Sequence, residues 1–271
     1  TEVKLSTIED FEEIRINEEA DQEELETDSS EEEIIMRSKL SPKEIEDYVN
    51  SLKSAAVHWY NSHNPLNNQE LTNEESLWID RLNRIGIVYF RPLVTASFLS
   101  QNITSSQRVK LFKAIERFIF ITFRLSRAFS TYRNSEFYRS SRKLRKNELS
   151  IKEIISTLEE RMDYCFYTPE NTENTYFDYT YFQKFIDKKF KRGGGFYYWN
   201  GLRYFLYEYE MEKVRQRGSQ KIDWKLFVKG EKDRVSIEHI YPQTPIHENW
   251  INSFSNQKEE NQKFFQGSLG N

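Results

Sequence analysis

From Ser41 onward apolar residues return every three or four positions, the spacing of one face of an α-helix. In SPKEIEDYVNSLKSAAVHWYNSH, Ser41 is suited to cap, Pro42 fits the first turn and Glu44 completes a capping box. Ile45, Tyr48, Val49, Leu52, Ala55, Ala56 and Trp59 then form one stripe for packing. Thr72 with Glu75 predicts a second helix start, with Leu77, Trp78 and Leu82 facing inward. RPLVTASFLS reads as a buried third helix. SSQRVKLFKAIERFIFITFRLSRAFSTYR is the longest helical pattern, and SIKEIISTLEERMDYCF starts on a serine. The polar TPENTENT interrupts, and helical patterning resumes in YFQKFIDKKFKR and FYYWNGLRYFLYEYEMEKVRQR. The expected body is mostly α.

Beyond Gly218 the period shortens to two. KIDWKLFVKG and RVSIEHI, separated by EKD, predict strands of a small terminal unit and a boundary near residue 220. Gly193 to Gly195 read as a flexible joint between two helices; without Gly-Lys-Ser/Thr at the required spacing they do not form a phosphate loop. Residues 1–35 hold fifteen Asp or Glu against Lys4 and Arg15, a density that disfavours a packed core. Residues 1–40 are therefore expected to be a flexible or partly helical linker. The functional alternative is an acidic segment that covers a basic surface in imitation of nucleic acid.

Composition narrows the classes. The chain of 271 residues is long enough for a real core, and its aromatic content of 15% lies mostly after residue 57. The single cysteine, Cys165, excludes an internal disulfide framework and a cysteine-based zinc site. No apolar run approaches the roughly 18 residues of a membrane span, and no charged-then-apolar leader opens the chain. A cytoplasmic protein without a membrane partner is expected. The opening at Thr1 and the stop at GSLGN, within a pattern that reads as continuing, lead to the expectation of a fragment.

Charge is segregated along the chain. Residues 104–146 carry twelve Lys or Arg against Glu116 and Glu136, inside a chain whose net charge is −4. This is the footprint expected of a surface that meets a polyanion. Arg117, Arg124 and Arg127, seven and three residues apart, would lie near one another on a helix face and contact successive phosphates. Arg142, Lys143, Arg145 and Lys146 continue the basic segment toward its end. The bland alternative pairs these cations with the acidic linker or with another domain.

One stretch carries candidate chemistry. In RVSIEHIYPQTP, strand alternation puts Glu238 and His239 on opposite faces, but Pro242 ends regular pairing and lets the chain turn as the pair is reached. Both side chains can then approach one pocket. Histidine suits a general base near neutral pH, and a carboxylate is a hard ligand for magnesium or manganese. The alternative is a half-buried His239 satisfied by a carbonyl, beside a surface Glu238.

IEHIYPQTP, followed by Asn249-Trp250 and by GSLGN, resembles the C-terminal HNH-type nuclease domain of GmrSD-like, modification-dependent restriction endonucleases. The match is specific over residues 235–271 and looser before them. WNGLRYFLYEYE is similar to the region joining nuclease and sensor domains in that family. The resemblance implies His239 as general base, Glu238 as metal ligand and Asn271 as the residue that supports the histidine. It gives Gln243 and Trp250 structural roles; His247 stands outside the motif, as a loop histidine. Only the strands and connecting loop of a ββα-metal unit are expected before Asn271, so the last helix with its second ligand would be missing.

The fold expected is thus mainly α: a helical domain at 41–220, then an incomplete ββα-metal, HNH-type unit at 221–271. The implied function is a metal-dependent DNA endonuclease of a restriction or phage-defence system, using Mg2+ or Mn2+. An NTP would enter only through a sensor domain absent from this chain, and homodimerisation stays open. The rival reading is a non-catalytic helical module that binds nucleic acid or protein and carries a degenerate nuclease remnant.

Overall fold

Capping chemistry sets the helix starts. In the computed structural model, which describes residues 11–15, 34–38, 41–126, 128–217 and 239–270, Ser41 and Glu44 exchange the two bonds of a capping box. Helix α1 follows, Pro42–His63. Thr72 and Glu75 make the same exchange at α2, Asn73–Ile85; Thr104 and Gln107 at α4, Ser105–Ile119; Ser150 and Glu153 at α6, Ile151–Met162. Between them lie α3, Arg91–Leu99, and α5, Asn134–Arg145. After α6 come α7, Thr180–Lys191; α8, Leu202–Arg217; α9, Glu248–Phe254; and α10, Glu259–Gly267. The described residues are mainly helical, as the periodicity predicts.

Strand structure among the described residues is confined to two antiparallel pairs. Within the acidic stretch expected as a linker, β1, Phe11–Arg15, pairs with β2, Ile34–Ser38, and the register sets Glu12 opposite Arg37. β3, Phe166–Tyr167, pairs with β4, Tyr176–Phe177, so the polar TPENTENT becomes the loop of a short hairpin. The strands expected over 221–240 lie outside the described residues, apart from His239 and Ile240, which are in a loop. The chain divides into two units, Thr1–His58 and Trp59–Asn271, and residues 239–270 belong to the second together with α2 to α8.

In that second unit α3 packs on α5, α2 on α4, and α4 on α6. Phe90, Phe112, Phe118 and Phe137 are fully buried at the centre. Phe90 meets Phe118 edge-on at 5.5 Å and Phe118 meets Phe137 at 5.4 Å, a geometry that adds roughly 0.5 to 1.5 kcal/mol per pair beyond area burial. A smaller cluster of Ile186, Trp199 and Leu202 gathers Phe120, Phe182, Phe196, Tyr197 and, from the far end of the chain, Leu269.

Three expectations need correcting. The longest pattern does not form the longest helix: α4 stops at Ile119 and the next six residues, Phe120–Leu125, form a π-turn. The Thr122 hydroxyl bonds back to the Phe118 carbonyl, which loosens the ladder, and Ser126 N–H reaches five residues back to Ile121, at 2.9 Å. The helix then ends, and α5 starts afresh, which periodicity did not reveal. In α2 the buried stripe is Glu75, Ile79, Leu82 and Ile85, while Leu77 is 62% exposed. A charged residue enters the stripe because Arg108 of α4 reaches it at 2.5 Å. In α1 the stripe expected to pack is largely exposed at Ile45, Val49, Leu52 and Trp59.

Candidate functional site

His239 begins the last described segment and is half-buried. Its imidazole lies flat on the Tyr197 ring, centroids 4.0 Å apart and planes 20° from parallel. Gln243, four residues on, brings its amide nitrogen to 3.3 Å from His239 Nε2. The loop between them is pinned from α10: Gln266 Nε2 donates to the carbonyls of Pro242, at 2.9 Å, and Gln243, at 3.0 Å. Pro242 therefore gives the chain its turn, and its carbonyl and that of Gln243 find their donor in a side chain 23 to 24 residues away.

The elements on either side are locked by glycines. Tyr197 sits in the single 3-10 turn Gly195–Tyr198 between α7 and α8. Gly195 has φ +49, and a Cβ there would overlap the backbone of Gly267 at the end of α10. Within the glycine run expected as a flexible joint, Gly195 is thus a point of close approach: only glycine combines positive φ with this backbone-to-backbone contact. Phe190 of α7 stacks on Phe264 of α10, centroids 5.2 Å apart.

The box after His239 builds a small aromatic core. Tyr241 is buried, stacks on Phe254 at 4.1 Å and meets Trp250 edge-on at 5.9 Å. Its hydroxyl lies 3.3 Å from Gln262 Oε1. His247 caps α9, its Nδ1 accepting from Asn249 N–H at 3.3 Å. Where a connecting loop alone was expected, residues 239–270 form a loop and two short helices.

Glu238 and Asn271, the expected ligand and supporting residue, lie outside the described residues, as does Arg127. Among the described residues no three His, Cys, Asp or Glu come together as a metal site. Around His239 they offer one imidazole and one amide, a set that lacks the carboxylate oxygens magnesium or manganese requires. The described donors alone therefore do not fit a hard divalent ion.

The basic segment separates into two groups. Arg124 is turned into the fold: its Nη2 donates to the Ile85 carbonyl at 2.6 Å, capping α2 beside Gly86, and burial lowers its affinity for the proton. Arg108 and Lys113 pair with Glu75 and Glu74 of α2. Arg117 is exposed, its guanidinium carbon 5.8 Å from the Phe166 ring centroid. Arg117 lies at the end of α4 and Arg124 within the π-turn, and the two take different partners, Phe166 and Ile85. Arg139, Arg142 and Lys143 instead occupy the outer face of α5, with Lys146 at its C-cap, all exposed, while Phe137, Ser140, Ser141 and Leu144 face inward. Glu136, the acid of this helix, turns to Arg161 at 2.7 Å, whose hydrogen bond holds its carboxyl below the ordinary value. Arg145 reaches the Leu99 carbonyl at 3.2 Å and caps α3.

A polar network absent from the sequence reading ties α8 to α2 and α4. Arg81 donates to the Tyr204 hydroxyl at 2.9 Å and to Glu116 at 3.2 Å, and pairs with Glu208 at 3.3 Å. Tyr204 hydrogen-bonds Glu116, and Arg84 joins Glu208 at 2.8 Å to Asp80. Burial first, then Glu116, pushes the Tyr204 phenol up, so it stays a neutral donor. Tyr204 and Glu208 lie 88 to 127 positions from their partners on α2 and α4, a separation that leaves no periodic signal. Tyr197 was equally hidden, one aromatic in a run of four.

Comparison of the chain with protein-family models, with curated proteins and with solved structures returns no match.

Proposed function

We propose that the protein is a metal-dependent DNA endonuclease of the HNH type, in which His239 takes the proton from the water that attacks the phosphodiester. The support is one observation joined to one resemblance. The histidine of the EHIYPQ box is held by Tyr197 on its face and Gln243 on its edge while staying partly open to solvent. A base must be oriented to act, and packing against fixed neighbours orients it. Glu238 is the metal ligand this reading implies and Asn271 the supporting residue; the donors described around His239 carry no step through a metal.

DNA binding in this reading falls to the outer face of α5. Arg139, Arg142, Lys143 and Lys146 span about 10 Å at 1.5 Å per residue, enough to meet neighbouring backbone phosphates. This stripe stands apart from His239 in the sequence, and it favours a second reading: a module that binds nucleic acid without cutting it.

The test is plasmid cleavage by the full-length protein in Mg2+ or Mn2+, on modified and unmodified DNA with nucleotide present, beside His239→Ala. Nicking that vanishes in the variant, with DNA binding retained, supports the enzyme. Cutting at the original rate by His239→Ala removes His239 from the mechanism. No cleavage by either protein leaves the binding module as the function.

A further inference from the structure

The geometry points to Tyr197 as a positioning residue for His239, so that the helical body sets the orientation of the nuclease-box imidazole. This rests on the endonuclease reading above for its chemical consequence, but not for the contact itself.

An imidazole on a loop has two soft torsions, and in a proton-accepting role a tilt of the ring moves the acceptor lone pair off the attacking water. Among the described residues, those close in sequence supply little to prevent this. Ile240 is 71% exposed, and Tyr241 is committed to the aromatic cluster with Trp250 and Phe254. Gln243 restrains one edge of the ring, but a single bond at 3.3 Å leaves rotation about it open. The face is covered by Tyr197, at a centroid distance of 4.0 Å, well within the range of aromatic stacking.

Tyr197 is itself fixed. It packs against the cluster of Ile186, Trp199 and Leu202, in a turn whose first residue, Gly195, lies against Gly267. The Trp199 indole donates to the Arg124 carbonyl at 2.8 Å and anchors the far side of the turn to the π-turn after α4. Burial pushes the Tyr197 phenol up, so it meets the imidazole as a neutral ring. A path of packed side chains therefore runs from the core of the body to His239, and α10, through Gln266, fixes the loop from the opposite direction.

The experiment joins a spectroscopic readout that needs no activity to a kinetic one. The chain has four histidines, so the His239 ring protons are assigned in a proton-carbon spectrum by their loss in His239→Gln. In the wild type they are expected upfield of the other three through the ring current of Tyr197. Tyr197→Ala should return them downfield and Tyr197→Phe should leave them in place. On plasmid DNA, kcat of Tyr197→Ala should fall about tenfold to a hundredfold with KM nearly unchanged, and Tyr197→Phe should restore it.

His239 signals that do not move in Tyr197→Ala overturn the contact and the proposal with it, whatever the cleavage result. Signals that move while kcat stays at the wild-type value overturn the positioning role and leave the endonuclease reading intact. A wild type that does not cleave overturns the endonuclease reading, and the catalytic consequence of Tyr197 falls with it even where the ring-current shift is seen.

Discussion

Gly195 and Gly267, 72 residues apart, meet backbone to backbone, and the Tyr197 ring two residues beyond the first of them lies on His239. Two short stretches that read separately in the sequence, RGGGF and GSLGN, are thus one joint. The joint brings α10, the 195–198 turn and the EHIYPQ loop together, and its tightness is set by the absence of two Cβ atoms.

That joint predicts a specific sensitivity. Gly195→Ala must strain a backbone at φ +49 and push Gly267 away, at a cost of about 1 to 3 kcal/mol. Gly193→Ala shares the positive φ, +81, but meets open space, so it should cost only the strain. Hydrogen exchange of residues 259–267 should accelerate in Gly195→Ala and stay near wild type in Gly193→Ala. Equal protection in all three proteins would show that the close approach does not hold α10.

The Glu75–Arg108 pair makes the fold sensitive to acid. Burial alone would raise the Glu75 carboxyl, but the Thr72 backbone N–H, Arg108 and the Thr72 hydroxyl hold it below its ordinary 4.5. The stabilisation is complete above pH 4.5 and is lost as pH falls through the lower folded value. Glu136, held down by Arg161, titrates in the same direction. Denaturant midpoints should therefore drop below about pH 4.5 in the wild type. The drop should be smaller in a Glu75→Gln variant, whose stability at neutral pH is already reduced by about 3 kcal/mol through the unpaired Arg108. Thr72→Ala should cost about 1 kcal/mol through the lost cap.

The two groups of basic residues should separate experimentally. Reversing Arg139, Arg142, Lys143 and Lys146 to glutamate should weaken DNA binding and lower the slope of log K against log salt by about 0.9 for each phosphate contact removed. Arg124→Gln should leave that slope unchanged and lower thermal stability instead, because it strips the cap from the Ile85 carbonyl. A flattened slope in Arg124→Gln would return this residue to the proposed DNA-binding set.

Tyr204→Phe tests the inter-helix network. Losing a hydroxyl shared by Arg81 and Glu116 should cost about 1.5 to 3 kcal/mol, the range for hydrogen bonds to charged groups. Combined with Glu116→Gln, the two changes should be non-additive, since both remove one contact. Simple additivity in a double-mutant cycle would show that the hydroxyl acts alone.

What the sequence carried by itself was local. Ser41 with Glu44, Thr72 with Glu75, and Ser150 named three helix starts, because a cap is read within four residues. The 3.6-residue spacing of apolar positions made the body helical, and the EHIYPQ box marked His239, because both are read from neighbours. Tertiary structure decided everything that depends on residues far apart in the chain. It buried Glu75 and exposed Leu77, since Arg108 comes from another helix; it turned Arg124 inward, since its acceptor, the Ile85 carbonyl, comes from α2. It also laid Tyr197 on His239. A helix period predicts which positions share a face, but the partner of that face is chosen by packing and charge compensation across the whole fold, and these have no period to read.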